Sequence, residues 1–290
     1  GTERNNYYAS IGYNDAKGTT KREGNKTYTA NMSLAAHFNR FSVQAGMDAS
    51  VLEREYTPTA VNVMNYAYHT SRAVPATNPD GSYWFYKKGS YAGSNYNILN
   101  ERDNSGTETD GTNLQAALNL RLNLLKDLEF QTTASYAIAT NKIKSWATEA
   151  THYIAQIRGY EVGEILPNSA EQYASVLPFG GLLQSEYAQT KNYSFRSSLV
   201  YNKMFNEDHR LTLNLGFQVN SASQEGNASL RYGYLYYRGE KFATVPTEIT
   251  AANGLHKNSR DLHDEMRAGT TITTTKNISR PCMVIRNVTC

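Results

Sequence analysis

Cysteine is nearly missing from this chain. Among its 290 residues there are two, Cys282 and Cys290, both in the last nine positions, so no disulfide framework and no paired-cysteine zinc site can be built. Charge is scarce as well. Asp, Glu, Lys and Arg together make up 19% of the residues, below the ~25% of ordinary soluble domains. The net charge of +3 is too small and too evenly spread for a nucleic-acid partner. No stretch approaches the ~18 uninterrupted apolar residues of a membrane-spanning helix. The opening residues, Gly1-Thr2-Glu3-Arg4-Asn5-Asn6, lack the charged and apolar regions of a signal peptide. That leaves a cytosolic protein or a chain that starts after its targeting segment, and the rest of the sequence favours the second.

What is plentiful is the uncharged polar middle: Asn, Ser, Thr, Gln and 22 Tyr. So many aromatics with so little net charge exclude a disordered tail protein. Much of the chain alternates apolar and polar with a period of two. Tyr28, Ala30, Met32, Leu34, Ala36 and Phe38 occupy every second position, with Thr29, Asn31, Ser33 and His37 between them. Past a tight Asn39-Arg40 turn the pattern resumes with Phe41, Val43, Ala45, Met47, Ala49 and Val51. Alternation of this kind puts the two sets on opposite faces of a strand. The signature predicts seven strands, near 4–14, 26–38, 41–52, 113–124, 128–141, 192–203 and 210–221. None of the positions on their apolar faces is charged, although charged residues make up 19% of the chain.

A soluble β-sandwich also alternates apolar with polar, but its strands usually run about 5–6 residues. These are long enough to cross ~25 Å of hydrocarbon at a tilt. Short turns alternate with long loops at 53–112 and 142–191, so all long loops fall at one end of an up-and-down meander. Aromatics flank the aliphatic stretch: Phe38, Phe41, Tyr201 and Phe205 at the short-turn end, Tyr13, Tyr28, Tyr136 and Tyr193 toward the long-loop end. The expected fold is therefore all-β, an antiparallel up-and-down transmembrane β-barrel segment (an incomplete barrel) with long extracellular loops. Its outward face would meet outer-membrane lipid. The opposite face, with Asn31, Gln44, Asn119, Arg121, Gln131, Arg196 and Gln218, would line a hydrated lumen.

Catalytic patterns are absent. The histidines are scattered, and His256 with His263-Asp264-Glu265 lacks ligand-grade spacing for a metal. No phosphate-cradling loop or nucleophile elbow occurs. The reading is a protein that is not an enzyme and needs no cofactor. The candidate contact residues are instead the aromatics of the first long loop, Tyr83, Trp84, Tyr86, Tyr91 and Tyr96. Flat rings beside amides and hydroxyls stack on sugar rings and hydrogen-bond their hydroxyls, and self-packing of the loop is the competing role. Residues 58–69 and 146–158 carry weak helical spacing, which predicts short helices inside the loops.

Several phrases, in their order, resemble the SusC/RagA family of TonB-dependent outer-membrane transporters of Bacteroidetes. They are Tyr7-Tyr8-Ala9-Ser10-Ile11-Gly12-Tyr13 with Asp15 and Gly18, the Asn78-Pro79-Asp80-Gly81-Ser82-Tyr83 loop, Leu177-Pro178-Phe179-Gly180-Gly181, and Tyr232-Gly233-Tyr234-Leu235 with Arg238-Gly239-Glu240. The resemblance spans about residues 4–260. It implies a large barrel around an N-terminal plug, energised through TonB, with a SusD-like surface lipoprotein that helps capture an oligosaccharide or peptide solute. Seven strands do not close such a barrel, and no plug is recognisable, so the chain reads as an internal piece of the wall. On this reading, 1–222 is barrel segment with its loops, 223–265 an extracellular loop region, and 266–290 an unassigned tail without clear alternation. A shifted or truncated reading frame is the preferred account of the tail, and a genuine divergent end is the alternative. For function, the expectation is part of a TonB-dependent nutrient importer. A passive pore or surface-binding barrel without TonB coupling is the alternative.

Overall fold

The computed structural model describes residues 4–58, 60–206, 209–244, 277–278 and 288–289. Seven long strands form where alternation places them: β1 (Asn5–Lys17), β2 (Gly24–His37), β3 (Phe41–Tyr56), β6 (Ser105–Leu125), β7 (Leu128–Ala147), β8 (Gly181–Asn206) and β9 (His209–Leu235). Between β3 and β6 lie α1 (Val63–His69), the two-residue strands β4 (Tyr86–Lys87) and β5 (Asn95–Tyr96), and α2 (Ile98–Asp103). Between β7 and β8 lie α3 (His152–Arg158) and α4 (Ala170–Ala174), and a short β10 (Lys241–Phe242) follows β9. The main sheet is antiparallel throughout, in the order β1-β2-β3-β6-β7-β8-β9-β10. It is an open half-barrel sheet, an incomplete all-β barrel.

Pairing register keeps the two faces distinct. Leu34, Ala45, Leu118, Ala134, Phe195 and Val219 form one row across six strands. On the other face, Gln44, Asn119, Thr133, Arg196 and Gln218 form the matching row. A one-residue slip anywhere would send the apolar set to the polar side, so a single continuous band specifies the register. The band is open to its surroundings. Ile11 is 92% exposed and Leu118 39%, values that fit a face covered by lipid and not by a second sheet. A two-sheet sandwich is thereby excluded among the described residues.

The aromatic rows at the long-loop end step down across the sheet. Tyr13 pairs with Tyr28, whereas Tyr136 and Tyr193 share the row of Met47, four residues lower on β3 than Val51, the partner of Tyr28. Strands tilted by ~40° and spaced ~4.8 Å apart drift by roughly one residue per strand relative to a level plane. The three or four strands between them account for the offset, so the tyrosines lie at one height. Just beyond the Tyr13–Tyr28 row comes the first charged row, Asp15, Lys26, Glu53, Asp110 and Lys142. At the short-turn end Phe41, Leu122, Phe130 and Leu199 share a row. The side chain of Phe205 lies outside the described residues.

The strands run further than alternation indicates. The loops between them shorten to 57–104 and 148–180, and β9 continues to Leu235, into the stretch 223–265 read from sequence as loop. The added residues stand beyond the continuous apolar band and mix polar side chains with isolated apolar ones such as Leu182, Leu230 and Tyr232, so a period-two apolar pattern does not mark them. Asn277–Ile278 and Val288–Thr289 pair antiparallel with β9 in one common register. The rest of the tail, with Cys282, Cys290 and His263-Asp264-Glu265, lies outside the described residues, as does His256.

The dry core is not on the sheet but beyond it. Among the described residues, the buried hydrophobics are Val61, Tyr96, Ile98, Ile154, Ala155, Ile157, Val176 and Leu177 of the two long loops, with Trp146, Tyr232 and Tyr234 from the adjoining strand ends. Ile154, Ile157, Val176 and Leu177 pack on Tyr232, Leu230, Leu182 and Ala147. By register, these four strand residues belong to the polar face. The second long loop therefore folds inward over the polar side of the sheet.

Candidate functional site

Both long loops combine into one cap at the long-loop end. Asn97 organises the first. Its side-chain oxygen accepts from the N–H groups of Leu99 (2.8 Å) and Asn100 (3.1 Å), capping α2, as Asn does at helix starts. Its amide nitrogen donates to the carbonyls of Ala76 and Trp84, both at 2.7 Å. One buried side chain thus fixes the helix and the aromatic segment before it. The Asn78–Tyr83 stretch is a tight turn, with Gly81 at φ +86° and the Asp80 carboxylate accepting from the N–H (2.9 Å) and hydroxyl (2.7 Å) of Ser82. Those bonds hold the Asp80 carboxyl below its ordinary range.

Two carboxylates cross between the loops in opposite directions. Glu101 accepts from the His152 N–H at 2.9 Å, and Glu161 accepts from the Asn95 N–H at 2.8 Å. Asn100 donates to the Ala150 carbonyl at 2.8 Å, and Thr148 meets Asn104 through both backbone (2.8 Å) and side chain (2.9 Å). Burial pushes the Glu101 carboxyl up. Burial, with the Lys88 charge adding to it, pushes the His152 imidazole down.

Four of the five candidate rings meet in one ladder. Trp84 stacks on Tyr86 (6.2 Å between centroids), Tyr86 meets Tyr96 edge-on (5.8 Å), Tyr96 meets His152 edge-on (5.4 Å), and Tyr91 lies 6.3 Å from His152. Tyr96 is the buried rung, packed with Val61 and Ile98, with Lys88 Nζ 4.3 Å over its ring. Its hydroxyl is pushed up to about 12 by burial and then by the Glu101 charge. Tyr91 is open to solvent at one end, where its hydroxyl accepts from Gln156 at 2.6 Å; Trp84 is half-buried at the other. Tyr83 stands apart. Its hydroxyl donates to Asp103, whose carboxyl the Arg102 guanidinium holds below the ordinary range. Tyr83 therefore helps secure the end of α2.

Sequence reasoning missed Asn97, Glu101, His152 and Gln156. The Asn97-Ile98-Leu99-Asn100-Glu101 run carries a helix-start signal, but nothing local shows that α2 and α3 touch. It also missed Trp146, which is buried against Gly106 and stacked 4.1 Å from Tyr236. Arg22, from the β1–β2 turn, lies 5.4 Å over the Trp146 ring and donates to the Asp103 carbonyl at 3.1 Å. The predicted helices at 58–69 and 146–158 appear as α1 and α3.

Two of the sequence phrases meet in space. Gly180 and Gly233 both adopt left-handed backbone, φ +76° and +82°, and a Cβ on Gly180 would stand 2.4 Å from the Gly233 carbonyl carbon. Only glycine permits this approach, which anchors the second loop to the end of β9. With this arrangement in hand, known proteins are informative. The fold is RagA/SusC-like. Three solved structures are similar: the RagAB peptide transporter (TM-score 0.64, 12% identity) and the RagAB peptide importer in its closed-closed (0.65, 12%) and open-open (0.62, 13%) states. Each match covers 96% of this chain and 27% of the other chain. No family model and no curated sequence matches.

Proposed function

We propose that this chain supplies part of the wall and extracellular cap of a TonB-dependent outer-membrane importer for peptides, oligosaccharides or other large nutrients. The observation that carries the reading is the uncharged apolar band, bounded by aromatic rows and backed by a polar face, which is how a barrel wall meets lipid outside and water inside. The packed cap over the polar face adds what a pore wall alone does not need, a shaped entrance. In this reading Trp84, Tyr86 and Tyr91 offer ring faces to solute or to a SusD-like lipoprotein, while Tyr83 and Tyr96 hold the loop. Likeness to RagAB structures supports a peptide solute and a lipoprotein partner, and TonB energises transport through the plug.

Uptake by cells that carry the transporter containing this chain tests the proposal. Saturable uptake of labelled peptide or oligosaccharide that stops when the proton-motive force is dissipated is the expected result. Unsaturable uptake indifferent to the proton-motive force would replace it with the passive-pore reading.

A further inference from the structure

The seam of the cap holds a hydrogen-bonded chain in which every donor and acceptor is fixed by its neighbour. His152 of α3 is 8% exposed, and its Nδ1 stands 3.1 Å from the Asn95 carbonyl of the first loop. A carbonyl only accepts, so Nδ1 carries the proton, and in the neutral ring Nε2 is then an acceptor. The Gln156 amide nitrogen, 3.0 Å from Nε2, donates one hydrogen to it and the other to the Tyr91 hydroxyl at 2.6 Å. Tyr91 therefore accepts within the chain, and its own O–H hydrogen is left for a partner outside it. These directions are set from the buried end, whatever lies over Tyr91.

A second proton on His152 reverses the order. Nε2–H cannot face an N–H, so the Gln156 amide turns over and its oxygen accepts from both Nε2–H and the Tyr91 hydroxyl. The Tyr91 hydrogen is then spent inside the chain. Among the described residues, the charged and titratable groups around the ring are Lys88, Tyr91 and Tyr96 of the first loop, Glu101 of α2, whose carboxylate takes the His152 N–H at 2.9 Å, and Glu161 beyond α3. Burial and then Lys88 hold the imidazole below 6.5, with the Asn95 and Gly93 carbonyls and Glu161 opposing them, so the neutral order prevails above that pH.

We infer that His152 and Gln156 are positioning residues that present the Tyr91 hydroxyl as a hydrogen-bond donor to a backbone carbonyl of a peptide solute, and withdraw it when His152 is protonated. This rests on the importer reading. A carbonyl can only accept, so it bonds Tyr91 in the neutral order and loses that bond in the reversed one. A sugar hydroxyl both donates and accepts, fits either order and is indifferent to the switch. The cap thereby grips peptide at neutral pH and loosens its hold in acid.

The test is binding of pooled labelled peptides, acetylated, amidated and without titratable side chains, to the whole transporter with its lipoprotein. The Kd should rise about fivefold between about pH 7.5 and pH 5. Y91F should show the weaker Kd at both pH values. Q156E, which can only accept, holds Tyr91 in the reversed order and should also bind weakly at both. Q156M, of similar shape and without polar hydrogens, leaves the Tyr91 hydrogen available and should stay within about twofold of the neutral wild-type value at both. Opposite levels with the pH step gone are what a merely structural Gln156 would not give. Nitrogen shifts of histidine-labelled transporter, assigned by difference from H152N, should place a proton on Nδ1 alone at neutral pH in the wild type and on both nitrogens in Q156E. A pH step that survives in Q156E or Q156M, or a Y91F that binds peptide like the wild type, overturns the proposal. So does a Y91F defect confined to lipoprotein pull-down. A wild type that binds no peptide at any pH overturns the peptide-importer reading itself, and the nitrogen shifts then still separate a working relay from a failed one.

Discussion

Replacing Leu120 by Arg, and separately its neighbour Asn119 by Arg, asks whether the two faces of the sheet meet lipid and water. On β6 the uncharged apolar side chains run from Leu114 to Leu124. That is about 34 Å of strand, or about 26 Å of height at a ~40° tilt, close to the full hydrocarbon band. Residue 119 lies midway, so Leu120 stands about 2.5 Å from the midplane. An arginine there should cost roughly 2–4 kcal/mol, against about 0–1 kcal/mol for Leu114→Arg at the rim. Asn119 points to the polar face and accepts from the Thr133 hydroxyl at 2.8 Å. Asn119→Arg loses that bond, about 0.5–1.5 kcal/mol, and keeps its new charge in water. Urea-titrated folding of the complete barrel into lipid vesicles measures all three. Equal penalties at 119 and 120 would refute the assigned faces, and a Leu114→Arg cost matching that of Leu120→Arg would refute the depth.

Other outcomes follow from the cap. Gly93 has φ +70°, and a Cβ there would stand 2.4 Å from the Ala155 carbonyl oxygen. Gly93→Ala should destabilise the junction of the two loops by about 2–4 kcal/mol, read as faster proteolysis within 148–180. The folded cap binds the Glu101 proton more tightly than the unfolded chain does, since burial raises this carboxyl above its ordinary 4.5. Its contribution is therefore most favourable below that value and declines as pH rises through the raised one. Glu101→Gln keeps an acceptor for His152 and should abolish the decline, seen in amide exchange of α3 between about pH 4 and 7. The slope that remains should have the opposite sign, because burial lowers His152 from 6.5 and its contribution is lost as pH falls below that value. Trp84→Ala should weaken solute or lipoprotein binding about tenfold while the loop stays protease-resistant; a protease-sensitive loop with binding intact would make Trp84 a packing residue only.

The wall was legible because each of its residues answers to one local rule. A strand with lipid on one side and water on the other must alternate, and Leu114, Ala116, Leu118, Leu120, Leu122 and Leu124 against Gln115, Asn119, Arg121 and Asn123 state that without help from any distant residue. Beyond the band neither face is continuously apolar, the rule lapses, and Ser105–Thr112 of β6 or Ser223–Tyr232 of β9 read as loop although they pair with neighbouring strands. In the cap, contacts join residues far apart in sequence. Tyr96 and Tyr91 are alike as letters, yet one is buried beneath Lys88 and the other open beside Gln156. Glycines carried signal without explanation, since the reason for Gly180 is Gly233.

The placement of the core follows from the solvent on each side of the wall. A barrel wall gains little from burying side chains against protein, because an open apolar face such as that of Leu118 and Phe195 is suited to lipid, and the polar face hydrogen-bonds along itself, as Thr133 does to Asn119 (2.8 Å) and Ser194 to Asn220 (2.6 Å). The loops have no such partner. In water, each must bury its own apolar groups or remain unfolded. They do so in two separate clusters, Val61, Tyr96 and Ile98 in the first loop, Ile154, Ile157, Val176 and Leu177 in the second. The seam between the clusters is mainly polar: the crossed carboxylates, Asn100 on Ala150 and Thr148 on Asn104. Apolar clusters resist opening in proportion to the area they would expose, whereas seam hydrogen bonds are exchangeable with water at about 1 kcal/mol each. The second cluster is also seated on Tyr232, Leu230 and Leu182 of the polar face, so it belongs with the wall. The first loop, with its aromatic ladder, is the half of the cap held by the weaker bonds.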